Sequence, residues 1–114
     1  MADAYFSKHR FARISPRKVR LIVDLIRGRS LPDAFAILRH NNQRGALMVD
    51  KVLRSAWANA QAEDTAAEET EYVISKAFAD EGPTIFRGRP ASMGRYVRIR
   101  RRTSHIHVEI QSSD

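Results

Sequence analysis

From Val19 to Ile26 the chain places apolar side chains at i, i+3, i+4 and i+7: Val19, Ile22, Val23 and Ile26. This is the spacing of one face of an α-helix, and Leu21 and Leu25 widen that face. Arg17, Arg20, Asp24 and Arg27 fall on the opposite side. Ser15 is a capping residue, Pro16 suits a first helical position and Gly28 suits a stop, so the pattern predicts a helix over 15–27. A second helix begins at Ser30, with Pro32 and Asp33 in its first turn and Leu31, Ala34, Phe35 and Leu38 as its stripe. The polar run His40-Asn41-Asn42 ends it. A third helix runs from about Gln43 to Ala62, with Val49, Val52, Leu53, Ala56 and Ala60 as its stripe. Its many alanines give high propensity and permit close packing, and Asp50–Arg54 is an i, i+4 pair in the favourable order. Trp57 adjoins that stripe and is read as cover for the core edge rather than as a platform for a base.

The period then changes to two. In Tyr72–Asp80, Tyr72, Ile74 and Phe78 share one parity, with Lys76 the exception. In Thr103–Ile110, Ile106, Val108 and Ile110 align. Tyr5–Ile14 mixes apolar and basic residues and fits a strand or an extended arm. Gln61–Glu71 is an acidic, exposed loop and Gln111–Asp114 a tail. The expected fold is α+β: three helices packed on a small antiparallel sheet, with a long protruding β-hairpin. The chain is expected to be a single domain over 1–114, its body at about 1–80 and 103–111 and its arm at about 81–102.

The arm is the informative stretch. From Asp80 to Ile106 it holds seven arginines and, after Glu81, no acid. Thr84–Arg87 and Gly94–Arg102 are β-tolerant runs, and Gly88–Met93 between them is turn-like, with Gly88 and Gly94 able to take φ > 0. Arms of about ten residues at roughly 3.3 Å each reach some 30 Å. Val97 and Ile99 have the opposite parity from Ile106, so a continuous strand needs a bulge or strong twist near Arg101–Thr103. Only Ile85, Phe86, Val97, Ile99 and Ile106 are strong core formers in this stretch, too few to offset the entropy of ordering it. A polyanion outside the chain would order it. A disordered basic loop is the other reading, and β-branched Val97 and Ile99 with the Gly-Pro punctuation argue against it.

Charge sharpens this picture. The 114 residues hold 20 Lys+Arg against 13 Asp+Glu, a formal +7. Only four of the 20 cations are lysine. Arginine grips phosphate with a planar fork and stacks on bases, which favours nucleic acid as the partner. The charge is also segregated. Lys8–Arg29 has eight bases and one acid, whereas Glu63–Glu81 has seven acids and one base. One side is thus expected to face phosphate and another solvent. Cations in the first turn of the 15–27 helix oppose its dipole, and an external anion would relieve them.

Other chemistry is thin. With no cysteine there is no disulfide and no thiolate metal site. No run reaches the length of a membrane span, so no membrane partner is expected, and MADAYFSKHR lacks the apolar run of a secretory signal. His105 and His107 face the same way on a strand but bring no obvious third metal ligand. Asp80-Glu81 precedes Gly82-Pro83 and reads as a turn at the hairpin base. No cofactor, metal or enzymatic activity is expected.

Four segments carry a resemblance. ARISPRKVRLIVDLIRG at Ala12–Gly28, VLRSAWANAQA at Val52–Ala62, AFADEGPT at Ala77–Thr84 and GRYVRIRRRTSHI at Gly94–Ile106 occur in the order and spacing of one family. Together they resemble the bacterial large-subunit ribosomal protein twenty-two family over nearly the whole chain. The resemblance implies a structural constituent of the large ribosomal subunit with an early role in assembly. Its body lies on the outer surface near the tunnel exit and its hairpin threads ribosomal RNA. The implied partners are several domains of the large rRNA, neighbouring large-subunit ribosomal proteins, and the nascent peptide at the hairpin tip. The implied location is the cytoplasmic ribosome of a bacterium, with an organellar ribosome left open. The expected RNA-binding residues are Lys8, Arg10, Arg13, Arg17, Lys18 and Arg20 on the body and Arg87, Arg89, Arg95, Arg98, Arg100, Arg101 and Arg102 on the arm, followed by Thr103, Ser104 and His105. The expected tunnel-facing tip is Arg89, Pro90, Ala91, Ser92, Met93 and Gly94. The family usually has Arg-Ala-Lys after that proline, so Ala91-Ser92-Met93 lacks two positive charges. Two rivals stand beside this reading: a free architectural protein binding DNA or RNA, and a small hydrolase using His105, His107 and Asp80.

Overall fold

A computed structural model describes residues 4–112. The elements follow the order β1 (Ala4–Ala12), α1 (Pro16–Ile26), α2 (Leu31–His40), α3 (Arg44–Glu63), β2 (Tyr72–Glu81), β3 (Ile85–Pro90), β4 (Tyr96–Arg101) and β5 (Ser104–Ser112). Short 3₁₀ turns occupy Glu69–Glu71 and Ser92–Gly94. β1, β5 and β2 form an antiparallel sheet in that order, and β3 and β4 form a separate two-stranded sheet. This is the expected α+β arrangement of three helices on a small sheet with a long hairpin. Residues 113–114 of the expected tail lie outside the described residues, while Gln111 and Ser112 belong to β5.

The helices form where the period predicts, and the core is their shared stripe. Val19, Ile22, Val23 and Ile26 of α1 are buried, as are Val49, Val52, Leu53, Ala56 and Ala60 of α3. They pack against Ile106, Val108 and Ile110 of β5. Leu21 and Leu25 do not join this core. They are 60% and 47% exposed, because α1 meets the sheet and α3 on a narrower stripe than the sequence suggests. Trp57 packs edge-on to Tyr72 at 5.5 Å at the core margin. Gly28 stops α1 with φ 79, and its N–H donates to Ile74 O. Ile74 N in turn donates to Arg29 O, and Ser30 bridges Val73, so the α1–α2 connection pairs with the outer edge of β2.

Two strand readings need correction. Phe78 does not share the buried face of Tyr72 and Ile74. A register shift between Ile74 and Lys76 adds one residue, so Ala77 and Ala79 turn inward and Phe78 turns out. Lys76, the exception to the period, marks that bulge. The hairpin turn is also later than Gly88–Met93. Gly88, Arg89 and Pro90 continue β3, pairing with Arg98, Val97 and Tyr96. The chain reverses over 91–95, where Met93 (φ 62) and Gly94 (φ 72) are both left-handed and Ala91 N donates to Arg95 O at 2.6 Å. Gly94 therefore meets the expectation of positive φ and Gly88 does not.

The parity flip between Val97/Ile99 and Ile106 is a true break. β4 ends at Arg101, β5 starts at Ser104, and the facing strand breaks at 82–84. The principal extents are 64 × 24 × 18 Å and the radius of gyration is 17.3 Å. A compact chain of this length has a radius of gyration of about 13 Å. The excess comes from the hairpin.

Candidate nucleic-acid interface

Every residue of β3 is exposed, and in β4 only Ile99 is partly covered. The register puts Arg87, Arg89 and Arg101 on one face with Ile85, Val97 and Ile99. Arg98 and Arg100 lie on the other face with Phe86, Pro90 and Tyr96. The Arg98 guanidinium lies over the Phe86 ring, 4.3 Å from its centroid. Among the described residues, the ion pairs are Arg27–Asp24, Arg54–Asp50 and His107–Glu109, so no arm arginine has a carboxylate partner.

The root of the arm meets the body at a cleft of about 870 Å³ lined by Arg13, Lys18, Arg44, Arg87, Arg100, Arg101 and Arg102, seven cations without an acid. Ser15 and Gln43, the N-caps of α1 and α3, line the same cleft. Neither cap residue makes a side-chain hydrogen bond to its helix, and neither first turn contains an acid. Two sets of free helix N–H groups and two positive dipole ends are thus presented close together, a setting that favours phosphate. Gly45 keeps this approach close. A Cβ there would lie 3.3 Å from Ile14 Cδ1 and 3.4 Å from Ile22 Cγ1. The far end of α3, about 30 Å away for its 20 residues, leads into the exposed acids Glu63, Asp64, Glu68, Glu69 and Glu71. The molecule is polarised along α3.

The other predicted residues divide. Lys8 and Arg10 project from the exposed side of β1, and Arg17 is exposed on α1. Arg20 is exposed but reaches the sheet edge, where its Nε donates to Ala79 O at 3.1 Å. Beside it, Arg27 donates to Ala77 O through both Nε and a terminal nitrogen, at 3.1 and 2.5 Å. Thr103 and Ser104 are 6% and 0% exposed, so their side chains are held in the root of the arm and not on its surface. His105 Nδ1 accepts from Phe11 N at 3.0 Å. Sequence reasoning missed Arg44. Its signal, a cation in a first turn without acids, is the one that singled out Arg17 and Lys18.

Among the described residues no group of three His, Asp or Glu side chains could hold a metal ion. No helix of the described residues is long and apolar enough to cross a membrane. His107 is stacked between Phe6 and Phe78, at 5.5 and 4.6 Å between centroids. Burial, and then Lys8, holds its pKa below the ordinary histidine value.

The family model described as Ribosomal protein L22p/L17e matches residues 7–111, which run from within β1 to within β5.

Proposed function

This chain belongs to the Ribosomal protein L22p/L17e family, and we propose that it works as a clamp on large-subunit ribosomal RNA. The family makes it a structural constituent of the ribosome, and the family is not one of enzymes. In the clamp, the body takes phosphates in the cleft while the arm passes between RNA segments that would otherwise repel one another. Contacts are mainly to phosphate and sugar, so shape is recognised more than base sequence. The arm contacts several domains of the large rRNA and supports early assembly. Its tip, Arg89–Gly94, lies in the wall of the nascent-peptide exit tunnel, in a cytoplasmic ribosome. Neighbouring large-subunit proteins flank the body.

One observation carries this reading: seven cations and two uncapped helix N-termini face one cleft that contains no acid. Such a surface is electrostatically unsatisfied until a polyanion fills it. The test is Arg98→Glu with Arg100→Glu in the full chain. Both side chains are exposed, so the body stays folded, and the variant is expected to be absent from large subunits in a sedimentation profile. Normal incorporation would refute the clamp. Shortening 91–94 tests the tip separately: assembly persists and the response to arrest peptides or macrolides changes. An unaltered tunnel response would remove the tip from its assigned place.

A further inference from the structure

The face of the β1-β5-β2 sheet turned away from the helices carries exposed rings that the clamp does not use, beside the cations Lys8, Arg10 and Lys76. Phe6, His107 and Phe78, one from each strand, stack in nearly parallel planes, at 23° and 19° to each other. A stack of three rings ends in two outer faces, here on Phe6 and Phe78. Phe6 is 56% exposed and Phe78 38%. Further along β1, Phe11 is 55% exposed and edge-on to His105, with centroids 4.9 Å apart.

Phe11 is held there against a local preference. Its φ of 59 is left-handed, a conformation that residues with a side chain rarely adopt. The register shift between His9 and Ala12 and the hydrogen bond from Phe11 N to His105 Nδ1 maintain it. The effect is to bury Ala12 while the neighbouring ring stays in solvent.

Cations accompany these rings. Lys8 Nζ is 5.8 Å from the Phe6 centroid and the Arg10 guanidinium 5.7 Å from that of Phe11. Lys76 is exposed near His107. The acids of this face are Glu109, 3.9 Å from His107 Nε2, and Asp80, opposite His105. An apolar protein surface laid here would desolvate the three cations without neutralising them. An unpaired nucleotide supplies a π face for the ring and a phosphate for the adjacent cation together.

We propose that this sheet face is a second RNA site that binds unpaired nucleotides. Bases extend the ring stack at Phe6 and Phe78 and lie against Phe11, and the phosphates sit beside Lys8, Arg10 and Lys76. It rests on the reading of the chain as an RNA-binding ribosomal protein, but it differs from the arm in kind, being dominated by stacking and not by charge.

The experiment compares the full-length protein, Phe6→Leu/Phe78→Leu, Phe6→Tyr/Phe78→Tyr and Arg98→Glu/Arg100→Glu, each titrated with large-subunit rRNA and with a short oligouridylate over a range of salt. Stacking on a base is worth about 1–3 kcal/mol, or roughly a 5- to 150-fold change per base. The leucine pair is expected to lose at least about 5-fold in oligouridylate affinity with an unchanged salt slope. The tyrosine pair keeps wild-type affinity, because the π faces remain. Ultraviolet crosslinking in isolated large subunits should place RNA adducts on peptides containing Phe6, Phe11 or Phe78. Unchanged affinity in the leucine pair, while the arm variant still loses rRNA, overturns the second site alone. Crosslinks from this face to another ribosomal protein and not to RNA also overturn it. A wild-type protein that holds no rRNA overturns the clamp and this site together.

Discussion

Thr103 Oγ1 donates to the carbonyl of Pro83 at 2.6 Å, and Gly82 N donates to the carbonyl of Thr103 at 2.9 Å. These two bonds join the strands where the larger sheet has ended and the arm has not begun. They fit only because residue 82 lacks a side chain: a Cβ there would come within 2.5 Å of Thr103 Oγ1 and 3.3 Å of its carbonyl carbon. Thr103→Val removes the hydroxyl and leaves Pro83 O without that donor, so stability falls by about 1 kcal/mol. Gly82→Ala forces the two strands apart and costs about 1–3 kcal/mol. Thr103→Ser keeps the bond and stays near wild type. Urea denaturation gives the ranking. Equal stability of the valine and serine variants would show that the bond does not hold the root.

Among the basic residues of α1, position decides between a structural and a binding role. Arg20 and Arg27 donate to carbonyls on the outer edge of β2, where no further strand pairs. Arg17 and Lys18 make no such bond, and Lys18 lines the cleft. Arg27→Ala is therefore expected to destabilise the isolated protein by about 1 kcal/mol, with Arg20→Ala losing somewhat less. Arg17→Ala and Lys18→Ala should leave the melting temperature unchanged and weaken rRNA binding. The check is thermal melting alongside a binding titration. The mechanism is wrong if Arg17→Ala melts early or if Arg27→Ala melts like wild type.

Local pattern and tertiary placement explain which features the sequence discloses. The helices are legible because Val19, Ile22, Val23 and Ile26 repeat at their own period whatever they pack against. The arm is legible because seven arginines without acids in so short a stretch leave few alternatives. The pattern puts Phe78 on the wrong face because a single inserted residue inverts a strand's faces, and the only warning is Lys76 on the buried parity. Leu21 and Leu25 look like core by spacing, but they lie on the margin of the buried stripe of α1 and stay exposed. The cleft was invisible as a cleft. Arg13 and Lys18 meet Arg44 and Arg100 because α3 packs closely on Ile14 and Ile22 at Gly45, and no spacing along the chain records that approach.

Arg44 is the residue this placement adds to the interface. It stands in the first turn of α3 with no acid to offset it, in the cleft that Arg100 and Arg101 enter from the arm. Cations there oppose the helix dipole, so removing one costs the free protein nothing and can stabilise it slightly. Arg44→Ala should therefore keep or raise the melting temperature. It should also weaken rRNA binding and reduce the slope of log affinity against log salt by roughly 1, as expected for one lost phosphate contact. Gly45→Val is the companion. A branched side chain pushes α3 from Ile14 and Ile22, opens the cleft and weakens binding although no charge is lost. An unchanged salt slope for Arg44→Ala would place this residue outside the interface.

His107 gives the fold a pH dependence whose sign follows from its surroundings. Its side chain is 13% exposed, between Phe6 of β1 and Phe78 of β2. Burial disfavours its charged form most. Lys8 of β1 and Lys76 of β2 add to that, and Glu109 on its own strand opposes it. The folded pKa thus lies below the ordinary 6.5 that the unfolded chain keeps. Well above pH 6.5 both states are neutral at this site and the fold has the full benefit of the stack. As the pH falls below that value the unfolded chain takes up the proton first, so stability declines until the pH passes the folded pKa. Wild-type protein should have a lower urea midpoint at pH 5.5 than at pH 7.5. His107→Phe, which keeps the ring and removes the proton site, should lose less over the same interval. Lys8→Ala should also lose less, because removing the neighbouring charge moves the histidine back toward its unfolded value. If all three proteins lost stability equally between those two pH values, the acid sensitivity would lie elsewhere in the chain.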